Sequence, residues 1–224
     1  MTLSNQRLGK FTASSIHKLF VGGKGATRDS YIFEKAEELV KGHAKMFNNR
    51  HTEHGHMNEF EAIESFQEVS GLLVEYLEQE YFAINSNAGA TPDAKVVDFN
   101  GKTIASVDVK CPTETFFQQK MLMIKESKPE FQNVPKQYFY QAQMQMLALG
   151  VDTHYLVRYL TKSDLDYEGN KVEYNLPLNV RLYWKRITAD KSVQDDILKL
   201  VEAAASERDL LVEIFTKPIL EPLP

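Results

Sequence analysis

TPDAKVVDFNGKTIASVDVKCP, residues 91–112, decides how this chain is read. Asn100-Gly101 stands between two apolar-rich runs. That pair suits a type I′ turn, whose two central residues both need positive φ, so residues 92–99 and 102–110 are expected to form an antiparallel hairpin. A two-residue turn sets Phe99 opposite Lys102, and counting down the ladder brings Asp93 opposite Asp108. Side chains alternate along a strand, so Asp108 and Lys110 share a face. Carboxylates opposed across a ladder repel each other. A divalent cation between them turns that repulsion into ligation. Oxygen donors without His or Cys suit Mg²⁺, with Mn²⁺ as a substitute. The plain alternative makes Asp93 a turn residue after Pro92 and pairs Asp108 with Lys110 on a solvated face.

A third carboxylate comes from the stretch before the hairpin. Residues 57–70 read as a helix ended by Gly71. At about 100° per residue, Ala62, Ile63, Phe66 and Val69 fall within about 80° of Glu59, whereas Glu61, Glu64 and Glu68 fall opposite. Glu59 therefore sits inside an apolar stripe. A buried carboxylate is costly unless it is paired or binds metal. The alternative is a salt bridge to a core arginine, but two further carboxylates without partners favour metal.

The rest of the chain supplies a frame for this site. Residues 12–20 read as a short helix stopped by Gly22-Gly23. Residues 29–41 read as a helix with Ile32, Ala36, Leu39 and Val40 on one stripe. Strands are expected at 79–85, 153–160 and 178–187. A helix at 135–149 opens with Pro135 and stops at Gly150, and an amphipathic helix at 190–215 closes the chain. The whole is expected to be one α/β domain, residues 1–224, with a central mixed sheet flanked by helices. No apolar run reaches the roughly 18–20 residues of a membrane span, and the N-terminus lacks a signal-peptide core. The single Cys111 excludes a disulfide framework or a four-cysteine iron–sulfur cluster and points to a reducing, cytoplasmic setting. The formal net charge of −5 argues against a generally basic nucleic-acid footprint, but it does not describe the field inside one cleft.

In order, Glu59, Pro92-Asp93 and Asp108-Val109-Lys110 resemble the PD-(D/E)xK nuclease superfamily, and within it the lambda exonuclease-like, viral-type alkaline exonucleases and recombinases. Further motifs extend the resemblance. Arg7-x-Gly9 followed by Thr12-Ala13-Ser14 is similar to the family's opening. Gly55-x-x-x-Glu59-x-x-Ala62 is similar to its carboxylate helix, Asp108-x-Lys110-Cys111-Pro112 to its central strand, and Tyr138-x-x-Gln141-x-Gln143 to its glutamine helix. The resemblance implies a restriction-endonuclease-like core and a Mg²⁺-dependent 5′→3′ exonuclease acting on double-stranded DNA ends. It implies a ring-shaped homotrimer that leaves a 3′ single strand for a recombination or single-strand annealing protein, working in the host cytoplasm if phage-encoded. It also implies that Arg7, Ser14 and Thr91 bind the 5′-terminal phosphate, with Tyr138 and Gln143 in support. The family carries an arginine six residues beyond the lysine. Phe116 stands there in this chain, and Lys120 and Lys125 are the nearest basic replacements.

In this reading Asp93, Asp108, Glu59 and the Val109 carbonyl hold one or two metal ions. Lys110 orients the attacking water, and Gln141 positions that water or the nearby backbone. His51, His54 and His56 suggest zinc, but without a partner cluster they read as a polar loop. Cys111 reads as a small buried residue, not a nucleophile. A RecB-like nuclease of different polarity, a cluster-bearing CRISPR-associated nuclease and a non-catalytic DNA-binding module are the rivals. The single cysteine weighs against the cluster-bearing form.

Overall fold

The corner at Asn100-Gly101 pins the sheet, in a way that differs from the expected turn. Asp98 N–H donates to Lys102 O and Gly101 N–H to Asp98 O, each at 2.9 Å. Asp98 Oδ1 accepts from the N–H groups of Asn100 and Lys102. Gly101 takes the left-handed conformation, with φ at +79°. The loop thus spans Phe99, Asn100 and Gly101, because the Asp98 side chain closes a wider corner than a type I′ turn. Val97 pairs with Thr103 next to this corner, and a bulge then restores the count, so that Val96 faces Ala105, Lys95 faces Ser106 and Ala94 faces Val107. The longer loop and the bulge shift the register in opposite senses and cancel. The expected alignment of Asp93 with Asp108 is therefore reached by another route.

The computed structural model describes residues 6–20, 26–44, 50–112, 120, 123, 128–165, 168, 170–173 and 175–217. Gly22-Gly23, Phe116 and Lys125 lie outside them. The chain opens with β1 (Phe11–Thr12) and a 3₁₀ helix (Ala13–Phe20), then α1 (Ala26–Lys41) and α2 (Arg50–Ser70). Five strands follow: β2 (Leu73–Tyr76), β3 (Phe82–Ala83), β4 (Ala88–Ala90), β5 (Ala94–Val97) and β6 (Thr103–Lys110). Then come α3 (Lys136–Leu149), β7 (Thr153–Tyr159), β8 (Ser163–Leu165), β9 (Lys171–Glu173), β10 (Leu182–Thr188) and α4 (Lys191–Thr216).

The main sheet runs β10-β7-β6-β5-β2. Only the β6–β7 pair in it is parallel. Parallel neighbours need a crossover, and α3 lies within it. Pro135 caps the start of α3, and Gly150, with φ at +66°, turns the chain out of it. Alternation along the strands divides the core in two. Val107, Val109 and Val157 pack against Ala62, Ile63 and Phe66 of α2 on one face. Leu156 and Ile187 pack with Phe139 and Met146 of α3 and with α4 on the other. A smaller sheet, β1-β4-β3, lies beside this frame, with β1 parallel to β4.

Several expectations are corrected. The strand expected at 79–85 shrinks to β3, and β2 and β4 were not foreseen. Residues 178–187 divide into one helical turn, Leu178–Arg181, and β10. Pro177 starts that turn, and Arg181 holds it by donating to Leu176 O and Leu160 O. The helix of Glu59 begins at Arg50, so His51, His54 and His56 lie on a helix and not in a polar loop. On α1 the buried side is Tyr31, Ile32, Lys35, Ala36 and Glu38, whereas Leu39 and Val40 are exposed. Val69 likewise leaves the stripe of Glu59 and is exposed.

Candidate functional site

Three carboxylates reach one end of the sheet from three elements. Asp108 projects from β6 toward α3 and is buried. Glu59 comes from α2 on the opposite layer and is also buried. Asp93 stands just before β5, where the ladder stops, and there its own backbone N–H donates to Val107 O at 3.1 Å. Its Oδ2 accepts from Val109 N–H at 2.6 Å. That bond fixes the Asp93 carboxylate against the strand carrying Asp108.

Each carboxylate is held from outside. Asp108 Oδ1 accepts from Gln141 Nε2 at 2.6 Å and from Gln145 Nε2 at 3.0 Å. Asp108 Oδ2 has the Lys110 ammonium at 2.6 Å, though without a well-angled hydrogen bond. The Asp108–Lys110 pairing of the plain alternative is therefore real, but it lies on a buried face, not a solvated one. Tyr76 donates its hydroxyl to Glu59 Oε2 at 3.3 Å.

The electrostatics show a strained set of charges. Desolvation first, then the nearby Asp108 and Glu59 charges, hold the Asp93 carboxyl well above the usual carboxylate range. Burial alone would lower the Lys110 ammonium, but the charges of Asp108 and Asp93 outweigh it and raise the value. Cys111 is pushed up to about 12 by burial, then by Glu59 and Asp93, so its thiol stays protonated and is no nucleophile. Three acids around one lysine leave a surplus of negative charge that a cation relieves. Among the described residues, no three acidic, His or Cys side chains close into a ready ligand cage. Mg²⁺ keeps several waters and is commonly held by one or two carboxylates plus substrate phosphate. Asp93, Asp108 and the Val109 carbonyl could hold such an ion, with Glu59 holding a second ion or its water.

The helix α3 divides its glutamines. Gln141 and Gln145, one turn apart, both hold Asp108. Gln143 points elsewhere: its Nε2 donates to Thr188 O and its Oε1 accepts from Asp190 N–H, each at 2.9 Å. Gln143, expected in support of the site, instead ties α3 to the start of α4. Gln145 was missed, although its i, i+4 spacing from Gln141 was a readable signal. Its Oε1 is buried and accepts no hydrogen bond. Tyr138 is half-buried, with Lys110 Nζ 5.6 Å and Arg158 Cζ 5.1 Å from its ring centroid. Lys120 lies over Tyr183 on β10, with β7 between it and the strand of Lys110.

The residues expected at a terminal phosphate gather around the small sheet. β1 pairs with β4 in parallel through Phe11–Ala88 and Thr12–Gly89; the 3₁₀ helix that carries exposed Ser14 follows β1 directly, and Thr91 follows β4. β3 pairs Phe82 with Ala90, which sets Tyr81 beside Thr91 one step on. The Arg7 charge acts on Tyr81: burial raises that hydroxyl and Arg7 opposes the rise. A Cβ on Gly89 would overlap both the Tyr81 phenol and the backbone carbonyl of Phe82, so only glycine fits there. Gly9 fixes the Arg7 turn, donating its N–H to Glu38 Oε2 at 2.9 Å while its carbonyl accepts from Arg208 at 2.7 Å.

Comparison with known proteins is consistent with this architecture. The model of the YqaJ-like viral recombinase domain matches residues 3–152. A comparison with curated proteins finds no significant match. Among solved structures, the alkaline exonuclease LHK-Exo from Laribacter hongkongensis superposes with a TM-score of 0.73 at 23% identity, covering 95% of this chain and 94% of that one. LHK-Exo in complex with dAMP gives a TM-score of 0.71 at 24% identity, covering 93% and 92%. A phage-related exonuclease from Haemophilus somnus 129PT gives 0.74 at 19% identity, covering 92% and 96%. The fold is restriction-endonuclease-like, with a mixed sheet between helical layers.

Proposed function

Because this chain belongs to the YqaJ-like viral recombinase family, we propose that it is a Mg²⁺-dependent exonuclease that degrades duplex DNA from 5′ ends. Family and fold together support a metal-dependent DNA exonuclease. The observation that carries the chemistry is the convergence of Asp93, Asp108 and Glu59 beside Lys110, with the Asp93 carboxyl raised by burial and then by its neighbours. Bound Mg²⁺ would supply charge relief at the phosphoryl oxygens and a water of lowered pKa. Asp93 and Asp108 would hold that ion, and Glu59 a second ion or its water. The raised ammonium of Lys110 stays protonated near neutral pH, so it donates to the attacking water and fixes its direction. Gln141, bonded to Asp108, keeps the carboxylate in one orientation.

Arg7, Ser14 and Thr91 receive the 5′-terminal phosphate. The hydroxyls and the guanidinium supply charge-assisted hydrogen bonds, and the start of the 3₁₀ helix adds backbone N–H donors. LHK-Exo is known with dAMP, a deoxynucleotide of the kind an exonuclease releases, which supports a nucleotide-sized product here. The product strand, with a free 3′ end, passes to a single-strand annealing partner. The active form is a homotrimer ring of single-domain chains in the cytoplasm. Among the described residues, no helix is long and apolar enough to cross a membrane.

The test is a duplex labelled separately at each end and followed over time in Mg²⁺, Mn²⁺ and EDTA. Loss of the 5′ label as mononucleotide, only with metal, is expected. Attack from the 3′ end would replace the polarity with that of the RecB-like reading. Metal-independent cleavage would remove the carboxylate mechanism.

A further inference from the structure

We propose that Arg158 binds a phosphate of the DNA strand being cut, side by side with Lys110. This rests on the nuclease reading and extends it to a residue that none of the family motifs covers.

The placement follows from the ladder. β6 and β7 are parallel, and Lys110 is paired with Arg158. Paired residues of parallel strands project to the same side of a sheet, so Arg158 shares the face of Asp108 and Lys110. Both strands finish here: Lys110 is the last residue of β6 and Arg158 the last but one of β7. The carboxyl ends of parallel strands are where open α/β sheets receive ligands.

Tyr138 joins the two cations. Its ring takes the Lys110 ammonium at 5.6 Å and the Arg158 guanidinium at 5.1 Å. A guanidinium held over an aromatic ring is positioned by it, and its planar fork matches two phosphate oxygens. Lys110 is engaged with Asp108 at 2.6 Å, so its charge mainly offsets a carboxylate. A phosphodiester approaching Asp93, Asp108 and Glu59 meets net repulsion, and Arg158 is the next cation along the sheet on that face. Arg158 is 6% exposed, which strengthens any charge interaction it makes. The neighbouring Lys110 side chain is 27% exposed, so this face opens to solvent beside it.

The test measures duplex binding in Ca²⁺ across a range of NaCl, and cleavage in Mg²⁺, for wild type, Arg158→Gln and Arg158→Lys. One lost phosphate contact flattens the log–log salt dependence by about 0.9. Arg158→Gln is expected to show that flattening, with kcat/KM down about tenfold or more. Arg158→Lys keeps the charge and loses the fork, so it is expected to hold the wild-type slope while KM rises several-fold. A wild-type salt slope in Arg158→Gln overturns the proposal, because a structural role changes the melting temperature and not the count of phosphate contacts. If Arg158→Gln does not fold, an unchanged KM in Arg158→Lys overturns it equally. A wild type that cleaves no duplex with any metal removes the nuclease reading itself, and this inference with it.

Discussion

The carboxylate cluster and the Arg7 patch lie at the two ends of one short connection, from Ala90 to Ala94, yet they are built differently. At the Asp93 end, bonds cross between elements. Val109 holds Asp93, two glutamines and a lysine hold Asp108, and Tyr76 holds Glu59. At the Thr91 end only the pairing of β1 and β3 with β4 brings the segments carrying these residues together. Among the described residues, no side-chain hydrogen bond joins Arg7, Ser14 and Thr91 to one another. A site that must aim a water at phosphorus within a fraction of an ångström needs locked side chains. A site that receives a mobile DNA end tolerates looser ones and loses some affinity in ordering them.

The sharpest break is at Asp108. Asp108→Asn keeps an oxygen for Gln141 and Gln145 and removes the negative charge. Cleavage in Mg²⁺ is expected to fall about a thousandfold, with the fold retained. Asp108→Ala is expected to behave differently. From the sequence, Asp108 opposed to Asp93 looks like a liability, but its loss would leave two buried amides and a lysine without their acceptor. The melting temperature should therefore fall, by about 1–3 kcal/mol of stability. Full nuclease activity in Asp108→Asn would sink the site.

A second test concerns rigidity behind the cluster. Ser106 Oγ lies 2.8 Å from His154 Nδ1, both buried beneath Asp108. Burial lowers His154 from 6.5 to about 4. The unfolded chain binds a proton below about pH 6.5, whereas the native chain does so only near 4. This contribution to stability is complete above pH 6.5 and is lost as pH falls, by about 3 kcal/mol near pH 4. Asp93 has the opposite sign. Its raised folded value means that the metal-free protein gains stability as pH falls through that value and loses it as pH rises. Urea unfolding from pH 4 to 7 separates the two: His154→Gln should remove the first slope, and Mg²⁺ should suppress the second. An acid slope unchanged in His154→Gln would mean that this histidine is already solvated.

A third comparison lies within α3. Gln145→Met removes one of two amides from Asp108, and Gln143→Met removes the tie to Thr188 and Asp190. Groups that orient a metal ligand are worth about 10- to 100-fold in metal affinity. Gln145→Met should therefore weaken Mn²⁺ binding by that factor with little change in melting temperature. Gln143→Met should lower the melting temperature and leave Mn²⁺ binding alone. If both variants behave alike, α3 acts as one structural unit and the division between its faces is wrong.

This pair also shows where sequence reading ran short. The alignment of Asp93 with Asp108 was legible because alternation and a Gly corner constrain a hairpin strongly, even with two compensating errors in the loop. The ends of α3 were legible from Pro135 and Gly150, and the burial of Glu59 from its apolar neighbours. Gln143 was misjudged because Q-x-Q reads as a unit in a motif, although on a helix residues two apart point about 200° apart. The very short strands β3 and β4 carry too few residues to show a period. Arg158 became visible only once β6 and β7 were known to be parallel neighbours.

The smallest expected effect belongs to the looser region. Arg7 stands in a turn held by Gly9, Glu38 and Arg208, so its backbone is fixed while its side chain is only half-buried. One charge-assisted hydrogen bond to a terminal phosphate is worth at least about 1.5 kcal/mol, close to tenfold in rate. Arg7→Ala should slow digestion of 5′-phosphorylated duplex by about that factor and leave 5′-hydroxyl duplex almost unaffected. Wild-type protein should itself prefer the phosphorylated end only modestly, because Phe116 occupies the position where the family places a second arginine. Four initial rates decide it: wild type and Arg7→Ala, each on phosphorylated and dephosphorylated ends, with urea stability measured in parallel. Equal slowing on both ends with unchanged stability would make Arg7 a general contact to the DNA backbone. Equal slowing with lowered stability would tie it to the Gly9 turn, and in either case the terminal phosphate would have to bind away from Ser14 and Thr91.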